Sequence, residues 1–376
     1  MSLYGYWPGW IFTFGVPMST DDLGEIREST DAGVHRTAGP TMTEVATAAG
    51  VSQTTVSLVL NDALGARLSR QTRQRVLDAA KTLGYRLVKR GTARASAADA
   101  SIIGFVVDEL STDPWCAIAL DGARDKAWEH GHTISVAVTR GDAEMEQAVQ
   151  AQLSSQPLIG LIYGTIQTRA IKPTPALYQI PTILLNCFTA DWSLPSIVPS
   201  EILGGQTATM RLLKAGHRRI GLIEGEVWMD ASRGRLKGYR QALANAEILF
   251  DADLVRPGNW EPSAGYGQTL ELMRLKNPPT AIFCSNDLMA IGCLEALKEM
   301  GKRIPEDVAV VGYDDREIAQ FTRPPLTTIL LPHFEMGIRA AEFIINNPGP
   351  RKGRQPQIKV ECPLVERSSV GPILGD

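Results

Sequence analysis

The chain has 376 residues, too many for one ordinary hydrophobic core, and its 44% hydrophobic and 21% charged residues exclude an intrinsically disordered protein. Its net charge of −3 is unevenly distributed: residues 41–95 hold nine basic and three acidic side chains, a local charge of +6 that leaves −9 for the rest. A basic segment joined to an acidic body is expected when one part of a protein contacts phosphates and the other does not.

Residues 1–40 differ in character from the rest of the chain. An aromatic stretch broken by Gly and Pro passes into a polar run, without the apolar core of a secretory signal or the roughly 20 apolar residues of a membrane span. We expect a disordered N-terminal extension; a start codon assigned too far upstream would explain it equally well.

The five cysteines are widely spaced and contain no C-x-x-C pair. We therefore expect reduced core residues of a cytoplasmic protein, with no metal site and no cofactor.

Residues 41–87 carry the signals of a helix-turn-helix unit. Thr41 to Glu44 has the S/T-x-x-E form of a capping box, so a helix should begin there. Gly50 permits a sharp turn, Ser52 can cap a second helix over 53–61, and a third helix should run from 69 to 85 with its arginines outward. Two short helices alone would also fit any small helical hairpin.

The surrounding sequence is more specific. Residues 45–57 read V-A-T-A-A-G-V-S-Q-T-T-V-S, and Asn61, T-R-Q-R-V at 72–76 and L-G-Y at 83–85 follow. This text closely resembles the headpiece of the lactose-repressor (LacI) family. The resemblance implies that Gln53, Thr54 and Ser57 touch base edges. The full set of DNA-binding residues that it implies is Thr41, Ser52, Gln53, Thr54, Thr55, Ser57, Leu58, Asn61, Arg73 and Arg90.

Two departures from the family pattern bear on DNA binding. Leu58 stands where many relatives carry a guanine-reading arginine, so we expect a different operator base there. The linker, residues 88–100, lacks the usual Pro-Asn and an obvious leucine for wedging into the minor groove, and its basic run could also be no more than a solvated linker.

Beyond residue 100, short apolar runs alternate with amphipathic stretches, as in βα units. Because the runs are continuous rather than alternating, they indicate parallel sheets covered on both faces. The predicted strands are 102–107, 133–138, 158–163, 182–186, 220–224, 281–284 and 308–313, and the main predicted helices are 115–130, 201–215, 235–244, 288–300 and 334–346.

The fold class is therefore an all-α helix-turn-helix headpiece plus an α/β body, which by the resemblance is two-lobed and periplasmic-binding-protein-like. We expect one lobe from 101–198 and 331–348, the other from 199–330 and 349–376, with crossovers near Val198 and Leu330.

Ligands of open parallel sheets bind beyond the carboxyl ends of the strands. Polar segments follow four of the predicted strands and recur in place in the LacI family. The resemblance implies a sugar-like effector held by Asp113, Trp115, Arg235, Trp260, Asn286 and Asp314. From the residues alone, Asn286 and Asp314 could merely cap helices, Trp115 could be core, and Trp260 could lie in a surface turn.

We predict a cytoplasmic, homodimeric DNA-binding regulator, a repressor, whose operator affinity is controlled by a small molecule. A secreted binding protein would share the body but would have no use for the helical unit. An enzyme would need a catalytic constellation, whereas the five histidines are scattered and neither G-x-S-x-G nor a P-loop is present, so no catalytic residue is predicted.

Overall fold

The computed structural model describes residues 40–60, 70–85, 101–112, 114–346 and 353–372. Three of the residues singled out above, Asn61, Arg90 and Asp113, lie outside these ranges, as do the N-terminal extension and the linker.

The headpiece contains the three predicted helices, α1 (Met42–Ala49), α2 (Gln53–Leu60) and α3 (Arg70–Leu83). The capping box is formed, since the Glu44 N–H donates to Thr41 Oγ1 at 3.3 Å and the Thr41 N–H donates to Glu44 Oε2 at 2.6 Å. Gly50 ends α1 in the left-handed conformation with φ of 61°. Val45, Val56 and Val76, one from each helix, are fully buried, so the predicted helical spacing is confirmed.

Two lobes follow, each built around a parallel sheet. The first stretch of chain forms β1 (Ile102–Val107), α4 (Trp115–Glu129), β2 (Thr133–Val138), α5 (Ala143–Ser154), β3 (Leu158–Ile171), β4 (Thr182–Thr189) and β5 (Ser196–Pro199). The second forms α6 (Glu201–Lys214), β6 (Ile220–Ile223), α7 (Asp230–Asn245), β7 (Val255–Arg256), α8 (Pro262–Met273), β8 (Ala281–Cys284), α9 (Asp287–Glu299), β9 (Ala309–Val311) and β10 (Thr328–Ile329). The chain then forms α10 (His333–Asn346), β11 (Gln357–Val360) and β12 (Leu364–Val365).

The N-lobe sheet has the order β11-β5-β4-β3-β1-β2 and the C-lobe sheet β7-β6-β8-β9, and the strand pairs in both are parallel. The predicted parallel sheets are thus confirmed. β10 and β12 form a separate short antiparallel pair, with β10 after the last C-lobe sheet strand and β12 after β11.

The assignment of residues 349–376 wholly to the C-lobe was wrong. β11 pairs with β5 in the N-lobe sheet, with Ile358 opposite Ile197, and only the segment after it returns to β10. The chain therefore crosses between lobes three times: after β5, between β10 and α10, and between β11 and β12. The strand Q-I-K-V escaped notice because an edge strand can be polar and need not form a continuous apolar run.

Two helices of the N-lobe pack against each other at very close range. α4 and α10 cross where Gly337 contacts the backbone of α4, and a Cβ at this position would overlap the carbonyl oxygen of Ala119. All five cysteines lie in the described ranges, are buried, and form no disulfide there. Along the described stretches, no helix combines the length and apolar character needed to cross a bilayer.

Candidate functional site

The start of α2 holds side chains of two kinds. Ser52 and Thr55 are buried and hydrogen-bond each other, with 2.9 Å between their hydroxyl oxygens, and Ser52 Oγ also accepts the N–H of Thr55 at 3.1 Å. Gln53 is buried too, and its amide donates to the hydroxyl of Thr43. The first two residues cap the start of α2, and Gln53 connects α2 to α1, so Gln53 would have to leave its bond to Thr43 to reach a base.

Three other residues of the same helix, Thr54, Ser57 and Leu58, share α2 with them, but their side chains are outside what the structure describes. On α3, Arg73 is half-buried, whereas Arg75 and Lys81 are exposed. α3 thus places cationic side chains at the headpiece surface, as phosphate contacts require.

Arg235, on α7, lies at the centre of a cluster of polar and aromatic side chains in the C-lobe. Its side chain is only 4% exposed and forms a two-point ion pair with Glu201: Nε donates to Oε2 at 2.8 Å and Nη2 to Oε1 at 3.1 Å. Nη1 donates to the carbonyl of Ser285 and lies 3.7 Å from Asp314 Oδ1. Burial by itself lowers the pKa of Arg235, but the nearby carboxylates outweigh it and the net pKa shift is upward, so this cation is permanent.

An aromatic surface surrounds this guanidinium. Its carbon Cζ lies 3.6 Å from the ring centroid of Tyr313 and 5.5 Å from that of Trp260. Trp260 has a φ of 69°, its Nε1–H donates to Met229 Sδ at 2.9 Å, and its ring lies where a side chain at Gly225 would have to go. Trp260 is therefore packed into the C-lobe rather than displayed in a surface turn.

Asn286 acts as a helix cap, and Asp314 lies beside a cation. Asn286 does cap α9, accepting the Met289 N–H at 2.8 Å, and it also donates to the Trp260 carbonyl at 2.9 Å. Asp314 sits in a left-handed backbone conformation with φ of 113° and lies 3.6 Å from the Nε of Arg316. Both residues stand where the C-lobe strands β8 and β9 end, as expected for an open parallel sheet.

Trp115, from the N-lobe, contacts the C-lobe side chains at this site. It is 9% exposed, its ring stacks on the His333 ring with centroids 5.2 Å apart and an 18° interplanar angle, and the guanidinium of Arg316 lies 5.0 Å from its centroid. Arg316 follows the C-lobe strand β9, so this contact joins the lobes. Trp115 is largely buried, as the core alternative required, and a ring that stacks on it must displace Arg316.

A second group of polar side chains lies at the carboxyl end of the N-lobe sheet. Asp108 accepts the Ile166 N–H at 2.8 Å and the Arg169 Nη2–H at 2.9 Å. Burial raises the pKa of Asp108, although these two bonds oppose the shift. Asn186, with φ of 58°, donates to the carbonyls of Thr165 and Ile166. This group faces the carboxyl end of the N-lobe sheet, the end from which Trp115 also comes.

Sequence reasoning missed several of these residues, namely Asp108, Arg169, Asn186, Glu201, Tyr313, Arg316 and His333. Asp108 directly follows a predicted strand, and Asn186 and Tyr313 are the last residues of two others, so these three could have been found by extending the strand-end rule to every strand. Glu201 comes immediately after the first crossover. Among the residues described here, no group of three or more His, Cys, Asp or Glu side chains is arranged to hold a metal ion.

Comparison with known proteins finds a match for the headpiece and for most of the C-lobe. Residues 41–86 match the family described as bacterial regulatory proteins, lacI family, and residues 209–370 match the periplasmic binding protein-like domain. The ribose operon repressor of Haemophilus influenzae is 30% identical over 313 residues, which cover 82% of this chain and 92% of that protein.

Two solved structures are also similar. One, titled transcriptional regulator CelR-cellobiose complex, is 30% identical with a TM-score of 0.60, covering 88% of this chain and 99% of that one. The other, the lac repressor dimer bound to operator and the anti-inducer ONPF, is 28% identical with a TM-score of 0.61, covering 89% and 100%. The chain therefore belongs to the lacI family of bacterial regulatory proteins and is a DNA-binding transcriptional regulator.

Proposed function

We propose that this protein is a repressor whose affinity for operator DNA is set by a sugar or sugar derivative held between its two lobes. The observation that carries the proposal is the convergence of Trp115 from the N-lobe with Arg316, Arg235 and Asp314 from the C-lobe at the strand ends. Planar side chains beside aromatic rings make a chemically suitable sugar site. The cellobiose complex of a similar regulator and the ribose operon repressor support the choice of ligand.

Within this proposal the effector contacts are those expected from the sequence. Arg235, Asn286 and Asp314 would bond hydroxyl groups, Trp260 and Trp115 would supply apolar surface, and Asp113 would complete the site from the N-lobe. The proposal assigns no catalytic residue and no cofactor, and it places the protein in the cytoplasm with its DNA.

DNA contacts are divided between positioning and base reading. Thr54, Ser57 and Leu58 of α2 would meet base edges, with Asn61 and Arg90 close to the backbone, while Arg73 would contact phosphate. Thr41, Ser52, Gln53 and Thr55 would act mainly by fixing α1 and α2, because all four are engaged within the headpiece.

Regulation requires that the effector favour one lobe angle over another. A coupling of about 1–3 kcal/mol would change operator affinity roughly 5- to 150-fold. The three crossovers lie side by side, since the Ser200 N–H donates to the Val360 carbonyl and the Leu330 N–H to the Pro363 carbonyl. Closure about these neighbouring segments would rotate one lobe against the other. In a dimer this rotation would alter the spacing of the two headpieces, to which a palindromic operator is sensitive.

A homodimer is part of the proposal. Ile318 and Phe321 in the C-lobe are 46% and 59% exposed, and Trp128 and Val136 in the N-lobe are also exposed. The proposal assigns these four apolar side chains to the face that the two subunits bury. Phe321→Glu should shift the protein toward monomer in sedimentation, whereas Leu249→Glu, at a 92% exposed apolar residue elsewhere, should not. Equal effects of the two changes would contradict this face.

The proposed function is tested by fluorescence anisotropy with promoter fragments from the genome that encodes the protein, with and without a panel of sugars. We expect one fragment to bind well above random duplex and one sugar to change that affinity. If no sugar changes it, the regulatory part of the proposal is wrong.

A further inference from the structure

Glu201 occupies a position that the proposed function leaves without a role. It is the first residue of α6, directly after the first crossover, and it is buried. Both of its carboxylate oxygens go to Arg235, in the side-on geometry that fits a guanidinium best. The fit is tight, because a Cβ at Gly234 would approach the Glu201 Cβ to 2.7 Å. The ion pair is therefore built into the site and is not a mobile surface contact.

Each of the three guanidinium groups described in the candidate site has a carboxylate beside it. Arg235 has Glu201, with Asp314 at 3.7 Å; Arg316 has Asp314 at 3.6 Å. On the N-lobe side, Arg169 has Asp108 at 2.9 Å. Three guanidinium groups thus face three carboxylates, and the formal charge of the set is zero.

This balance decides which ligands the site can accept. An anionic group entering between the lobes would lose its water and would lie beside these three carboxylates. Because the three guanidinium groups are already paired, they would offset little of the resulting repulsion. A hydroxyl group meets no such penalty. Arg235 has five N–H groups, of which three are used by Glu201 and Ser285, and the other two can still donate to hydroxyl oxygens.

We infer that Glu201 is a specificity-determining residue of the effector site, which neutralises Arg235 and thereby restricts the effector to uncharged, hydroxyl-rich molecules, excluding sugar phosphates and sugar acids. The inference rests on the proposed function for the location of the effector. It adds to that function the charge class of the ligand and the residue that sets it.

The test uses matched ligands that differ only in charge: ribose with ribose 5-phosphate, glucose with gluconate and glucose 6-phosphate, and cellobiose with cellobionate. Isothermal titration calorimetry on the full chain should show that a neutral sugar binds at least about 10-fold more tightly than its anionic counterparts. Glu201→Gln keeps the side-chain shape and removes its charge, and it should reduce this preference by roughly 10- to 100-fold. Glu271→Gln, which removes a surface carboxylate paired with Arg274, should leave the preference unchanged.

Three results would overturn the inference: an anionic ligand that binds the wild type as tightly as its neutral parent, the absence of binding by every neutral sugar at millimolar concentration, or an unchanged preference in folded Glu201→Gln. If that variant does not fold, the wild-type comparison still decides.

The inference and the proposed function fail differently. A neutral sugar that binds without altering operator affinity supports the inference and removes the regulatory proposal. If only a sugar phosphate controls operator binding, regulation by a sugar derivative is supported and the inference about Glu201 is overturned.

Discussion

His333 makes stability depend on pH in a way that can be calculated from the structure. It is buried against Trp115, and this burial, assisted by the positive charge of Arg235, lowers its pKa to about 3. In the unfolded chain the pKa of histidine is near 6.5. Between these values the unfolded state binds a proton that the folded state does not. The contribution of His333 to the free energy of unfolding is therefore complete above about pH 6.5 and is lost as the pH falls toward 3.

At pH 5 the difference amounts to about 1.5 pH units at ~1.4 kcal/mol each, or roughly 2 kcal/mol of unfolding free energy. His333→Asn removes the titrating group, so the variant should lose about 2 kcal/mol less than the wild type between pH 7 and pH 5. Urea unfolding, followed by tryptophan fluorescence at pH 7 and at pH 5, measures this loss of unfolding free energy in both proteins. Because His217 and His132, whose pKa values are also lowered, titrate in both proteins, their contributions cancel. Identical losses in the two proteins would refute the buried, neutral state of His333.

Three further changes have defined outcomes. Gly337→Ala, which would press on the backbone of α4, should destabilise the protein by about 1–3 kcal/mol in thermal unfolding, whereas Gly267→Ala, with open space around it in α8, should be neutral or stabilise by up to ~1 kcal/mol. Thr54→Ala should alter the ranking of operator variants, while Arg73→Ala should weaken all duplexes alike and reduce the salt dependence of binding; anisotropy titrations at two salt concentrations separate the two, and equal behaviour would contradict the division of roles. Arg316→Ala removes the cation beside the buried ring of Trp115, so it should change the tryptophan emission spectrum and the response of that spectrum to sugar. An unaltered spectrum would contradict the contact between Arg316 and Trp115.

The strands could be predicted well where both faces are buried. β1 and β8, which are buried, were placed to the residue, since a short run of apolar side chains between polar turns has few other interpretations. β2 was also placed to the residue, although it is an edge strand whose side chains are only partly buried or exposed. α5 and α8 were missed because small and polar residues dominate them and the apolar stripe is weak. β11 was assigned to the wrong lobe because strand pairing is a long-range property that no local pattern carries.

The site was predicted in outline, not in its bonding. The strand-end rule found Arg235, Asn286 and Asp314, since it depends only on sheet topology. It did not reveal that Arg235 is held by Glu201, because 34 residues and a whole βα unit separate the two in sequence. Nor did it show that Gln53 is buried, since its position at the start of α2 gives no sign of the bond to Thr43.

The most direct test of the central claim is a binding titration of the full-length protein with its own promoter fragment and with a scrambled duplex of equal length, each in the presence and absence of neutral sugars. The account predicts a preference for the promoter of at least ~1,000-fold, and a change of roughly 5- to 150-fold in that affinity when one sugar is added. Equal affinity for the two duplexes under every condition would contradict it.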